Sequence, residues 1–273
     1  MKKTVDLRFN PLDVFKSSRT PMGLYARKKW MGEELSQQWQ DDYSKTVSSL
    51  LEGQLSDGSW NGSFIETVRR LFGLHLTVTE LSPPIKRALD WLISKMPAYT
   101  TKSQRQIIEP LFAGRLNGLP FTTAPVKRFQ IGASLFLASI YSMHNDDKIL
   151  AAYENLYQEA IAKYGRWCGW SCSNNILRAF VVHPKYSRSD ATELAIRSLY
   201  EVQSSSGTWP RGVPFYQTVN LLGHLDSELA EQQLMKAFNR LHRTQTRYGT
   251  WGKILPEWNT FLVVHALKRK NWL

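Results

Sequence analysis

Cysteine is scarce, two in 273 residues, so a disulfide framework is not what organises the fold. Long apolar runs are also missing. The longest, IGASLFLASIYSM at residues 131–143, falls short of the roughly 20 residues a bilayer span needs. The opening MKKTVDLRFNPLDVF is basic but has no apolar core, which argues against a secretory signal. These absences lead us to expect a cytoplasmic chain, with contact to a membrane surface left open. Acid is the minority charge, 23 Asp and Glu against 35 Lys and Arg, for a formal charge of +12. That excess suits a diphosphate, an acidic membrane surface or an acidic polymer; a merely basic, soluble surface explains it equally well. No nucleic-acid motif accompanies the charge. Little reads as strand, and no Ser/Gly-rich linker splits the chain.

Tryptophan, by contrast, is plentiful, with ten copies, and several stand where helices should end. GQLSDGSW, QSSSGTW and QTRYGTW share one pattern: Gln, three residues, Gly, one residue, Trp. The matching residues are Gln54, Gly58 and Trp60; Gln203, Gly207 and Trp209; Gln245, Gly249 and Trp251. A degenerate copy keeps Gly165 and Trp167, with Gln158 too far upstream, and a further eroded copy is expected near LNGLPF at residues 116–121. Such a period marks a repeat architecture. An amphipathic helix with a Ser or Asp start precedes the motifs. A more apolar helix follows, opened by polar residues, as in ETVRRLFGLHL, NNILRAFVVH, QTVNLLGHL and NTFLVVHALK. The unit is therefore an outer helix, a loop and an inner helix, and the chain should hold about ten to twelve helices.

The Gln-x3-Gly-x-Trp repeat resembles the QW motif of the terpenoid cyclase and protein prenyltransferase superfamily, which includes the squalene–hopene cyclases. The resemblance implies an all-α fold: a single α/α toroid, an inner ring of helices surrounded by an outer ring, over residues 44–273. In such a fold the Gln-Gly-Trp loops are structural staples. Residues 1–43, with FNPLDVFKSSRTPMGLYARKKWMG, resemble the leader of uncharacterised small bacterial squalene-cyclase-like proteins and should pack on the toroid as a short helical segment. Arg27, Lys28 and Lys29 form a basic cluster there, read as a solvated face or an anion site.

The resemblance also says where chemistry should lie. Class II terpenoid cyclases carry Asp-x-Asp-Asp at the head of an inner helix, whose middle acid protonates an alkene or epoxide. Here the corresponding segments are SFIET, SCSNN, FYQT and EWNT. Ile65, Tyr216 and Trp258 occupy the protonating position, and only Glu66 is an acid at the motif's last position. Glu66 is thus the one catalytic candidate, or else a helix-start carboxylate. Prenyltransferases hold zinc with Asp, Cys and His, but no such pattern is present. Cys168 and Cys172 are the weak metal candidates, a reduced pair being the plainer expectation. No cofactor is expected.

An isoprenoid or other apolar small molecule is the implied ligand, with a diphosphate head as an option. Its expected contacts are Phe64, Phe72, Phe180, Phe215, Tyr216, Trp258 and Phe261, with Arg69, Arg70 and Arg178 for an anionic head. His75, His183, His224 and His265 lie at similar distances from successive inner-helix starts. They either form a polar ring at one end of the cavity or serve helix-end carbonyls. The competing functions are a non-catalytic binding scaffold and a carbohydrate-active enzyme, because α/α toroids host both. No partner protein is indicated.

Overall fold

The computed structural model describes residues 4–78, 80–98 and 116–273. Helices begin where the sequence caps them. Ser36, Ser63 and Ser189 accept the amides of Trp39, Glu66 and Thr192, and Asp146 takes those of Lys148 and Ile149. Pro21, Pro83 and Pro256 stand in first turns, where a missing N–H costs no helical bond. Among the described residues the helices are α1 (Pro21–Met31), α2 (Gln37–Leu51), α3 (Phe64–Thr77), α4 (Pro83–Lys95), α5 (Val126–Ile140), α6 (Asp147–Ala162), α7 (Trp170–Val182), α8 (Asp190–Val202), α9 (Phe215–Leu222), α10 (Glu228–Thr244) and α11 (Pro256–Arg269).

These helices form an all-α toroid. The odd-numbered ones are inner: α3, α5, α7, α9 and α11 pack in succession, and α1 fits between α11 and α3 to close the ring. The even-numbered helices lie outside, each packed against the inner ring. The division of labour follows the sequence. α10 buries a single stripe of Ala230, Gln233, Leu234, Ala237, Phe238 and Leu241. α5 and α7 are buried along nearly their whole length. α1 belongs to the inner ring and does not lie on its outside, and residue 43 falls within α2, so the leader and the repeats share a helix. Arg27 is not part of a solvated basic face. It is buried and paired with Asp42 at 2.8 Å and Glu33 at 2.7 Å.

Each Gln-Gly-Trp loop fastens three elements. The indole N–H donates to a carbonyl of the preceding outer helix or its cap: Trp60 to Glu52, Trp167 to Leu156, Trp209 to Leu199 and Trp251 to Leu241. The Gln amide donates within its own loop and onward, Gln54 to Pro84 at 2.8 Å and Gln203 to Gln233 at 3.0 Å, both in the next outer helix. The recurring Thr of the inner helix also has a role, since Thr67 and Thr260 accept the backbone N–H of Trp60 and Trp251. In the degenerate copy Ser173 does this for Trp167, while the Gln158 amide donates to Glu154 on its own helix. At 116–121, a Cβ on Gly118 would come no nearer than 3.8 Å to any described atom beyond its chain neighbours, the Met22 side chain, so the close approach of the other joints is missing among the described residues.

Glycine is required in these loops for two reasons together. Gly207 has φ +85°, and a Cβ there would stand 2.1 Å from the carbonyl oxygen of Lys236. Gly53 has φ +73° but open space around it. Gly207→Ala should therefore destabilise by more than the ~1–2 kcal/mol of a left-handed alanine alone, and Gly53→Ala by no more than that. Urea denaturation of both variants checks the ordering; equal losses would show that the close approach does not matter.

Candidate ligand cavity

The ring encloses a cavity of about 530 Å³ near the C-terminal ends of the inner helices. Phe72, Phe136, Trp258, Phe261 and Leu262 give it an apolar wall, and Tyr25 of α1 completes the circuit. Tyr25 and Phe261 meet edge to face with centroids 5.6 Å apart. The polar members, besides the Tyr25 phenol, are His75, Ser139, Tyr141, Arg178, Asn220, His224, His265 and Arg269; no carboxylate lines the cavity among the described residues. A more polar hollow of about 690 Å³ adjoins it between the ends of α7 and α9 and the starts of α8 and α10. The two hollows share Val181, His224 and Arg269. Glu193, Asp226 and Glu228 line the outer one together with Arg188 and Arg197.

Burial sets the charge state of the cavity. It holds His75 neutral down to about 4 and His265 down to about 3, where Arg269 adds a smaller push in the same direction. His224 is lowered too, by burial first and then by His265 and Arg269. The Arg178 guanidinium, only 2% exposed, is brought down to about 9 by desolvation and so stays charged at neutral pH. It donates to Asn220 Oδ1 at 2.9 Å and to the Gln217 carbonyl at 2.7 Å, while its Nε–H is buried without an acceptor among the described residues. Burial also raises the Tyr141 phenol, which donates to Leu71 O at 3.0 Å.

Of the ligand contacts expected from the sequence, Phe72, Arg178, Trp258 and Phe261 line this cavity. The others do not. Phe64 packs on Trp91 and Phe129. Phe180 faces Tyr153, Trp167 and Tyr186 between α7 and the outer layer. Phe215 and Tyr216 pack on each other, with Phe215 against Trp209. Arg70 pairs with Glu66 at 2.7 Å and reaches Ser49 O, and Arg69 donates to Asn117 O. For the two arginines the cause is their angle around the helix. On α3, residues 72, 75 and 76 share the cavity face, whereas 66, 69 and 70 form a neighbouring face of i,i+3 and i,i+4 partners.

Glu66 is thus outside the cavity and between two guanidiniums, at 2.7 Å and 3.8 Å. The inner-helix heads enclose a smaller hollow of about 180 Å³, bordered by Phe121, Thr122, Gln217, Trp258 and Asn259 and also free of described carboxylates. Glu257, at the head of α11, accepts from Ser18 and Thr20 and ties the leader to the ring. Cys168 and Cys172 are not a free pair of thiols. They are joined in a disulfide, their Cα atoms 5.8 Å apart, so neither sulfur is a thiolate open to a metal. α7 starts only at Trp170, so the two do not share a helix face.

Three of the four histidines converge on the cavity. His183 does not: it follows the last residue of α7 in extended conformation, and its Nδ1 accepts the amides of Lys185 and Tyr186. What the sequence did not point to is the contribution of α1. Tyr25 carries no repeat signature, and nothing in its neighbourhood marks α1 as an inner helix.

No family model matches the chain, and no curated protein matches it. Among solved structures it is similar to a crystal structure of a protein from Actinoplanes, with TM-score 0.58 and 13% identity over 95% of this chain and 90% of that one. At that identity the likeness carries the fold alone. Among the described residues no helix is long and apolar enough to cross a membrane.

Proposed function

We propose that this toroid is a terpenoid cyclase-like binding protein that takes an isoprenoid or another apolar small molecule into its central cavity. The observation that carries this is the aromatic wall of Phe72, Phe136, Trp258 and Phe261 around about 530 Å³, within the roughly 300–1,000 Å³ typical of ligand sites. The Gln-Gly-Trp joints support it by their likeness to the cyclase superfamily. They hold the ring open around the cavity, and none of their tryptophans lines it. A diphosphate head would find Arg178 and Arg269 here, not Arg69 or Arg70.

The non-catalytic form of this function is favoured by a specific observation. Class II cyclisation needs a carboxylic acid kept protonated in an apolar site, and no described carboxylate lines the cavity. The test is lipid extraction of the purified protein with mass spectrometry, together with gas chromatography after incubation with squalene and farnesyl diphosphate. A co-purifying isoprenoid and no cyclised product are expected. Cyclised squalene would overturn the non-catalytic form. A protein that carries no apolar molecule and takes up none would remove the binding function.

A further inference from the structure

The polar side of the cavity is a chain of hydrogen bonds with one direction, and that direction selects the ligand's head. A guanidinium can only donate. Because Arg178 Nη1 bonds the side chain of Asn220 at 2.9 Å, the atom it meets must be the amide oxygen. The Asn220 amide nitrogen is thereby turned to the other side, where it lies 3.2 Å from Leu262 O and 3.1 Å from His265 Nδ1. An amide NH2 can only donate too, so Nδ1 of His265 is the lone-pair nitrogen. The neutral ring then carries its proton on Nε2. The row Arg178, Asn220, His265 thus ends in an N–H on a ring that lines the cavity. At its other end the buried Nε–H of Arg178 has no acceptor among the described residues, a costly state for a charged donor.

Carboxylates are what the cavity's described lining lacks. It includes two guanidiniums, three histidines and two phenols but no Asp or Glu. A hard divalent cation is held by oxygen ligands, carboxylates above all, so a diphosphate that needs such an ion has little to anchor it here. We infer that the cavity recognises the carboxylate head of an apolar acid directly, without a bridging metal ion, through Arg178 and the Nε2–H of His265, with Asn220 as the residue that positions both. This rests on the cavity being the ligand site and adds the chemistry of the head. Near the head lie His224 and Arg269, which also border the outer hollow, so the acid end sits where the two hollows meet.

Two measurements test this. The first needs no ligand. In protein labelled with 15N-histidine at pH 7, the His265 resonances, assigned by their loss in His265→Phe, should show the Nε2–H tautomer. A predominant Nδ1–H form overturns the donor assignment. The second is calorimetry with farnesoic acid, farnesol and farnesyl diphosphate, with EDTA and separately with magnesium. The acid should bind at least ~10-fold more tightly than the alcohol, unchanged by EDTA. Arg178→Met should abolish that preference while farnesol still binds. Since Arg178 is buried and its loss can unfold the ring, His265→Phe, which keeps an aromatic of similar size, should lower acid affinity several-fold and leave the alcohol unchanged. Equal affinity for acid and alcohol, or tight binding only of the diphosphate with magnesium, overturns the inference and leaves the cavity as the site. Binding of none of the three overturns both.

Discussion

Trp251→Ala should destabilise the protein by about 3–5 kcal/mol, the usual cost of deleting a large buried aromatic, and lower Tm by about 10 °C for a domain of this size. Trp251 is fully buried, and it does two separable things. Its ring fills the joint between α10 and α11, and its indole N–H donates to Leu241 O at 2.8 Å near the end of α10. Trp251→Phe keeps most of the first and removes the second, leaving Leu241 O with the longer bond from Thr244 Oγ1 at 3.5 Å, so it should cost about 1 kcal/mol, the usual net worth of one such hydrogen bond. Chemical denaturation of the two variants beside the parent checks both magnitudes. An unchanged midpoint for Trp251→Ala would refute the staple role. Loss of ligand binding with intact stability would move Trp251 into the site, which the geometry does not support.

Stability should also fall steeply on mild acidification. His75 and His183 are held neutral to about 4 and His265 to about 3, with burial the largest cause in each. For His183 the cause is visible atom by atom: its Nδ1 accepts the amides of Lys185 and Tyr186, and a protonated ring could accept neither. His144 and Lys185 add repulsion against the charged form. The unfolded chain takes up protons near pH 6.5, and the folded chain resists until about 4 or below. The stabilisation is therefore complete above pH 6.5 and is lost as pH drops through the window down to about 4, with a slope on the order of 1.4 kcal/mol per pH unit for each histidine fully involved. Asp42 has its carboxyl lowered by Arg27, so its loss comes at more acid pH and leaves the window to the histidines. Urea midpoints at pH 7, 6 and 5 should decline progressively, and His183→Asn should flatten part of the slope. Equal midpoints at pH 7 and pH 5 would sink the argument.

The joints were legible in the sequence because each residue there answers a local demand. The left-handed turn and close approach need Gly207, the open backbone groups need Gln203, and the end of the outer helix needs an N–H donor on a large ring. Such demands repeat with the fold, so they show as a period. The inner helices starting at Phe64, Trp170, Phe215 and Pro256 follow from the same period. The cavity was less legible. Facing it is a matter of angle around a helix: a half-turn separates His75, which lines it, from Arg70, which pairs with Glu66. Phe180 is as apolar as Phe261, and only the outer layer behind α7 decides that it faces Tyr153. The sixth wall, α1, bears no repeat at all. Its place is set by Phe15, Tyr25 and Trp30 packing on α11, and by Arg27 holding Asp42 of α2.

The ring is joined unevenly. Gln54 and Gln203 reach carbonyls 30 positions along the chain, but Gln245 closes its joint on Phe9, 236 positions away. In loop-closure terms the longer span costs about 1.8 kcal/mol more for the same bonds. The toroid therefore behaves like a split washer, in which the local clasps can engage while the chain is still being made and the seam must wait for the far end. Beside that seam Tyr25 of α1 meets Phe261 and His265 of α11. The part of the wall slowest to assemble is thus also a part that borders the cavity.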